Sequence, residues 1–100
     1  MTRRRTLDDI DAAEKVPIIF PYDDELDEGE TIVGAVLGIV LEAGADATPA
    51  AGLDGAMLVQ PTRVVQRFWG RIPGNVYAVR CEASTSTGNV RVRIAVQRVV

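Results

Sequence analysis

The chain has 100 residues, 47% of them hydrophobic and 25% charged, with a net charge of -3. That is one domain with a modest core and ordinary soluble-protein composition. The acidic balance excludes a nucleic-acid binder held by overall basicity.

Charge is placed unevenly along the chain. Residues 1–30 carry ten acids against four bases, and residues 31–100 carry four acids against seven bases. Acidic and basic regions on one small chain can pair within a subunit or between subunits. Cys81 is the only cysteine, so no disulfide joins two points of the chain. The basic start MTRRR is followed by no apolar run, so no secretory signal is expected. The longest apolar run, Ile32 to Leu41, is half of the roughly 20 residues that a spanning helix needs. No membrane partner is expected.

Residues 1–14 read as an N-terminal arm. Thr6 is placed to cap a short helix over LDDIDAAEK, with acids in its first turn where the helix dipole favours them. Its apolar content is Leu7, Ile10 and two alanines, too little to dock firmly, so a mobile arm or a short helix ordered by a partner is expected. In KVPIIFPYDD, Pro17 and Pro21 bracket Ile18, Ile19 and Phe20, which predicts an edge strand. DELDEGET is an acidic turn. TIVGAVLGIVL is rich in β-branched residues and predicts a long strand, or two strand segments, with kinks at Gly34 and Gly38. GADATPAAGLDG is a loop by composition.

AMLVQ predicts a short strand stopped by Pro61, and TRVVQRFW another stopped by Gly70. RIPGN is a turn. VYAVRCEAS alternates, with Tyr77, Val79, Cys81 and Ala83 on the predicted inward face. STGN is a hairpin tip. NVRVRIAV alternates again, which predicts Val90, Val92, Ile94 and Val96 inward and Arg91 and Arg93 outward. On that phase Arg98 falls among the apolar positions, so a bulge or a departing tail is expected there. Six or so strands joined by short turns, with no helical period after residue 15, predict an all-β fold.

Chemistry is hard to find. The chain has no histidine, the commonest general base and imidazole ligand. Cys81 sits on an inward strand face and reads as a small hydrophobe. Ser84 and Ser86 have no base nearby in sequence. The acidic run fails the calcium-loop pattern: counted from Asp23, the sixth residue is Glu28 rather than Gly and the twelfth is Gly34 rather than Glu. No phosphate-loop motif occurs. No catalytic residue, metal or cofactor is therefore predicted, and no enzyme.

The run from Val64 to Val96 resembles the C-terminal half of small Ig-like proteins of tailed bacteriophages, fibre–tail adaptors and related tail components. The resemblance rests on VVQRFWG, then GNVY with Gly74 and Tyr77, then AVRCEASTSTGN, then VRVRIAV. Upstream, the Pro-containing segment with acids near Tyr22 and the step Gly29-Glu30-Thr31-Ile32 also fit. It implies an Ig-like antiparallel β-sandwich of about six or seven strands over residues 15–100, and a structural virion protein of the tail or neck region, made in the host cytoplasm, which joins other virion proteins. Joined head to tail, acidic turn to basic strand, copies are expected to close a homo-oligomeric ring.

The predicted contact residues are those with charge or aromatic surface to offer. They are the acids Asp23, Asp24, Glu25, Asp27, Glu28 and Glu30, the arginines Arg3, Arg4, Arg5, Arg91, Arg93 and Arg98, and Trp69. Arg91 and Arg93 alone make a poor nucleic-acid platform, since aromatics are few. An Ig-like module that binds a glycan or peptide through Trp69 is the alternative.

Overall fold

The computed structural model describes residues 3–100. Seven strands form: β1 (Arg3–Thr6), β2 (Lys15–Pro21), β3 (Ile32–Ala43), β4 (Leu58–Val59), β5 (Arg63–Trp69), β6 (Val76–Thr85) and β7 (Val90–Arg98). They make two sheets, ordered β1-β7-β6-β3 and β2-β5-β4. All ladders are antiparallel except β1, which runs parallel to β7. This is the strand partition of an Ig-like sandwich: the second, fourth and fifth strands face the third, sixth and seventh.

Period-two alternation explains the core. β2 sends Ile18 and Phe20 inward, with Tyr22 just beyond its end, and β5 sends Val64, Gln66 and Phe68. They meet Tyr77, Val79, Cys81 and Ala83 of β6. The Phe68 and Tyr77 rings meet edge to face at 5.4 Å, a favoured aromatic geometry. Buried Gln66 is satisfied by the carbonyls of Gly55 and Arg67 at 3.1 and 2.9 Å. β2 is an edge strand, as its two prolines predict. The β6–β7 hairpin closes as predicted, with Gly88 at φ 89° in a position that favours glycine.

Two expectations fail. The first is the mobile arm with a helix over residues 7–15. Met1 and Thr2 lie outside the described residues, but residues 3–14 are built into the sandwich. Arg3–Thr6 adds a parallel strand to β7, and Ile10 bridges Val99. The Leu7 amide donates to the Val96 carbonyl (2.9 Å) and the Ile10 amide to the Arg98 carbonyl (3.1 Å). Buried Gln97 donates to the Asp8 carbonyl at 2.7 Å. An open sheet edge satisfies these backbone groups, whereas a helix this short has a costly nucleus and no apolar face to dock.

The second failure is the phase of β7. Arg91, Arg93, Ala95, Gln97 and Val99 point between the sheets, and Val90, Val92, Ile94 and Val96 lie on the outer face. The ladder decides this. Cys81 pairs with Arg93, Val79 with Ala95 and Tyr77 with Gln97. Directly paired residues share a face. Residues 85–89 separate the two paired strands, and that loop length matches odd positions to odd. Arg98 therefore belongs with the outward valines. The β6–β7 pairing runs unbroken through Arg98, without the expected bulge.

Candidate protein-interaction surfaces

The acidic turn after β2 and the arginines of β1 and β7 come together at one end of the sandwich. Arg93 contacts Asp24 at 2.6 Å and Glu25 at 2.8 Å. Arg3 contacts Asp24 at 2.5 Å and Glu25 at 3.6 Å, and Arg91 lies 3.9 Å from Glu25. The Arg93 guanidinium also lies 5.5 Å from the Tyr22 ring centroid. The Arg93 and Glu25 side chains are each only 13% exposed. Some burial opposes ionisation of Asp24, but the hydrogen bond from Arg3 and the charge of Arg93 outweigh it and hold its carboxyl below the usual range. Tyr22 is anchored beneath, its phenol donating to the Cys81 carbonyl at 2.7 Å. Burial and that bond push the phenol up.

Arg3, Asp24, Glu25, Arg91 and Arg93, expected to meet other proteins, thus meet one another. They plug the open end of the sandwich. Asp23, Asp27 and Glu28 remain exposed and make no ion pair among the described residues. No group of three or more acids, cysteines or histidines among the described residues is placed to hold a metal.

Glu30 is not a surface residue. It is buried and accepts hydrogen bonds from Thr85 (2.5 Å), Thr87 and Asn89 (3.0 Å), while its other oxygen accepts from the Asp27 amide at 2.9 Å. The hydroxyls of Thr85 and Thr87, with the Asp27 amide, bring its pKa down to about 2. One carboxylate thereby ties the acidic turn to the tip of the β6–β7 hairpin.

A polar cluster that sequence reasoning missed closes the opposite end. Asp46, whose side chain is 3% exposed, accepts from Tyr77 Oη and from Arg71, both at 2.6 Å. Asn75 Nδ2 donates to Tyr77 Oη (3.0 Å) and to the Ala45 carbonyl (3.1 Å), and its Oδ1 accepts from the Ala45 amide (3.1 Å). Hydrogen bonding by Tyr77 and Arg71 lowers the Asp46 carboxyl, and burial raises the Tyr77 phenol. Arg71 is the one non-glycine residue at positive φ, 65°, among the described residues. The cluster fastens the 44–48 loop to the β5–β6 turn. The residues are spread over three segments, so no local motif announces them.

The other predicted contacts scatter. Arg5 donates to the Ile19 carbonyl at 2.6 Å and covers the β2 edge. Arg98 lies 3.9 Å from Asp9 on the surface. Arg4 pairs with Glu42 across the outer face of the four-stranded sheet. Trp69 is 38% exposed on the outer face of the other sheet, with the Lys15 ammonium 4.8 Å from its ring centroid. Asp54 lies 3.8 Å from both Lys15 and Arg67.

The surface that sequence reasoning overlooked is apolar. Because β7 has the opposite phase, its valines join the outward residues of β3 on the outer face of the four-stranded sheet. Val36, Val40 and Val90 are 69%, 59% and 55% exposed there. Arg80 and Glu82 pair with each other on the same face at 2.9 Å.

No protein-family model matches the chain, and neither curated proteins nor solved structures show significant similarity to it.

Proposed function

We propose that this chain is a structural assembly protein of a tailed-phage virion, an adaptor or connector that joins tail or neck components to fibres through protein contacts. One observation carries the reading toward assembly: Val36, Val40 and Val90 stand 69%, 59% and 55% exposed on the outer face of the four-stranded sheet, and the charges beside them, Arg80 with Glu82 and Arg4 with Glu42, are paired with each other. Exposed apolar side chains grouped on one face mark a protein-binding site. The virion assignment itself rests on the resemblance of residues 64–96 to small phage tail proteins.

The internal pairing changes how the contacts work. Arg91 and Arg93 are held by Glu25 and Asp24, so a head-to-tail ring gains no register from them. Association then depends on apolar burial, which salt weakens little.

The glycan or peptide reading is less favoured. Lys15 already lies over the Trp69 ring, so a sugar or peptide stacking there must displace it.

The test is mass spectrometry on purified particles from the phage genome that encodes the chain, beside particles from a genome with the reading frame interrupted. The proposal expects the chain in intact particles and missing fibres or tails in the interrupted ones. Complete, infectious particles without the chain would overturn it.

A further inference from the structure

We infer that β3 is the seat of a symmetric contact between two copies of this chain, in which the β3 strands pair antiparallel about Leu37 and join two four-stranded sheets into one. The inference stands on the sheet edges and holds whether or not the chain belongs to a virion.

A two-sheet sandwich has four edges, and three of these are blunted. β1 carries Arg3, Arg4 and Arg5 in succession. β2 carries Pro17 and Pro21 and has its Ile19 carbonyl taken by Arg5. β4 is two residues long. Lysine or arginine, proline, brevity and bulges are the usual devices that stop edges from pairing. β3 has only bulges, and these lie at its two ends. It runs twelve residues, Ile32–Ala43, with Glu42 its only charge. Its backbone from Val33 to Ala43 is bonded only by β6 among the described residues, which leaves a row of edge amides and carbonyls open. Leu37, Ile39 and Leu41 point toward the core yet stay partly exposed.

The glycines supply a second, independent observation. Neither Gly34 nor Gly38 has positive φ, and a Cβ built on either meets nothing within 4 Å. Neither the backbone nor the packing of the single chain calls for glycine there. Glycine inside a strand weakens it and often marks the close approach of another backbone.

The occupant that fits is a second β3. Pairing about Leu37 sets Val36 opposite Gly38 of the other copy and Val40 opposite its Gly34, while Ala35 meets Ile39. On the axis Leu37 meets Leu37 of the other copy, and on the outer face Val36 and Val40 each meet a glycine. Both bulges of β3, at Ile32/Gly34 and Leu41/Ala43, fall outside this central stretch. The charge distribution selects the direction: antiparallel pairing keeps the two Glu42 carboxylates at opposite ends, whereas in-register parallel pairing would set them side by side. A two-fold contact of this kind closes at two copies.

Sedimentation of the full chain tests this. The expected mass is that of two chains. Val36→Lys with Gly38→Lys places cations opposite cations in this register and should halve the mass. Val36→Lys with Gly38→Glu places each lysine opposite a glutamate of the other copy and should restore the pair. Val90→Lys, on the same outer face but on β7, should leave the pair intact. A wild-type chain that sediments as one copy would overturn the inference, as would a pair that survives the double lysine variant. Failure of the lysine–glutamate variant to restore the pair would overturn the register. Loss of the pair in Val90→Lys would assign the contact to the sheet face instead of the edge. Circular dichroism on each variant separates loss of pairing from loss of fold.

Discussion

Replacing Arg93 with alanine tests which way β7 faces. If Arg93 lay outward in solvent, as the valine alternation alone suggests, its removal would change stability by less than about 0.5 kcal/mol. In the structure it bridges Asp24 and Glu25 at 2.6 and 2.8 Å and lies over the Tyr22 ring. Removing one partner of a fully buried pair costs roughly 3–5 kcal/mol. Here Arg3 and Arg91 remain 3.6 and 3.9 Å from Glu25, and Asp24 is half exposed, so the ionic loss is smaller. The lost contact with Tyr22 adds roughly 0.5–1 kcal/mol. The expected net cost is about 2 kcal/mol. Urea unfolding at neutral pH measures it as a lowered midpoint at constant slope, read at a protein concentration where the midpoint no longer depends on concentration. A cycle with Glu25→Gln should show coupling of about 1 kcal/mol. A cost below about 0.5 kcal/mol with no coupling would refute the inward placement of Arg93.

Other perturbations probe the two polar clusters and the core. Glu30 titrates near 2 in the fold but near 4.3 in an unfolded chain. Its contribution is therefore complete above the unfolded value and is lost as pH falls through 4 toward 2; Glu30→Gln should flatten the pH dependence of the urea midpoint across that window. Tyr77→Phe removes the phenol that Asp46 and Asn75 share and should cost about 1–2 kcal/mol by the same assay. Gly44→Ala should cost more than about 1 kcal/mol, because Gly44 holds φ 101° and a Cβ would sit 1.9 Å from Asn75 Oδ1. Cys81 is fully buried, and burial raises its thiol pKa. It should resist thiol reagents in the folded chain and react at the rate at which the fold opens.

Much of the architecture was legible in the residues. The prolines of β2, the alternation of β6 and the TGN tip mark an edge strand, a half-buried strand and a hairpin, because each rests on local backbone or side-chain geometry. The same period sets Phe68 and Trp69 on opposite faces of β5, and the fold decides that Phe68 is the buried one. The interaction surface was not legible. Charge marks most of the predicted contacts, and the fold pairs five of those charges with one another at one end of the sandwich. The Asp46, Arg71 and Asn75 cluster was invisible because its members meet only after β5, β6 and the 44–48 loop have been placed.

Sequence alone determined the class of structure and the bounds of most strands, since turn residues and a period of two act over a few positions. It left the phase of β7 open. An alternating strand has two faces, and composition favours the one with more valines. The choice belongs to the ladder with β6, which holds Arg93 opposite Cys81 and turns Val90, Val92 and Ile94 outward. Tertiary structure also decided the fate of Arg3–Thr6, whose backbone finds its partners on β7, and left β3 as the one long edge whose centre carries no proline, bulge or charge. Both outcomes follow from the same requirement: a strand's backbone groups need partners, and which partners are near is a property of the whole fold.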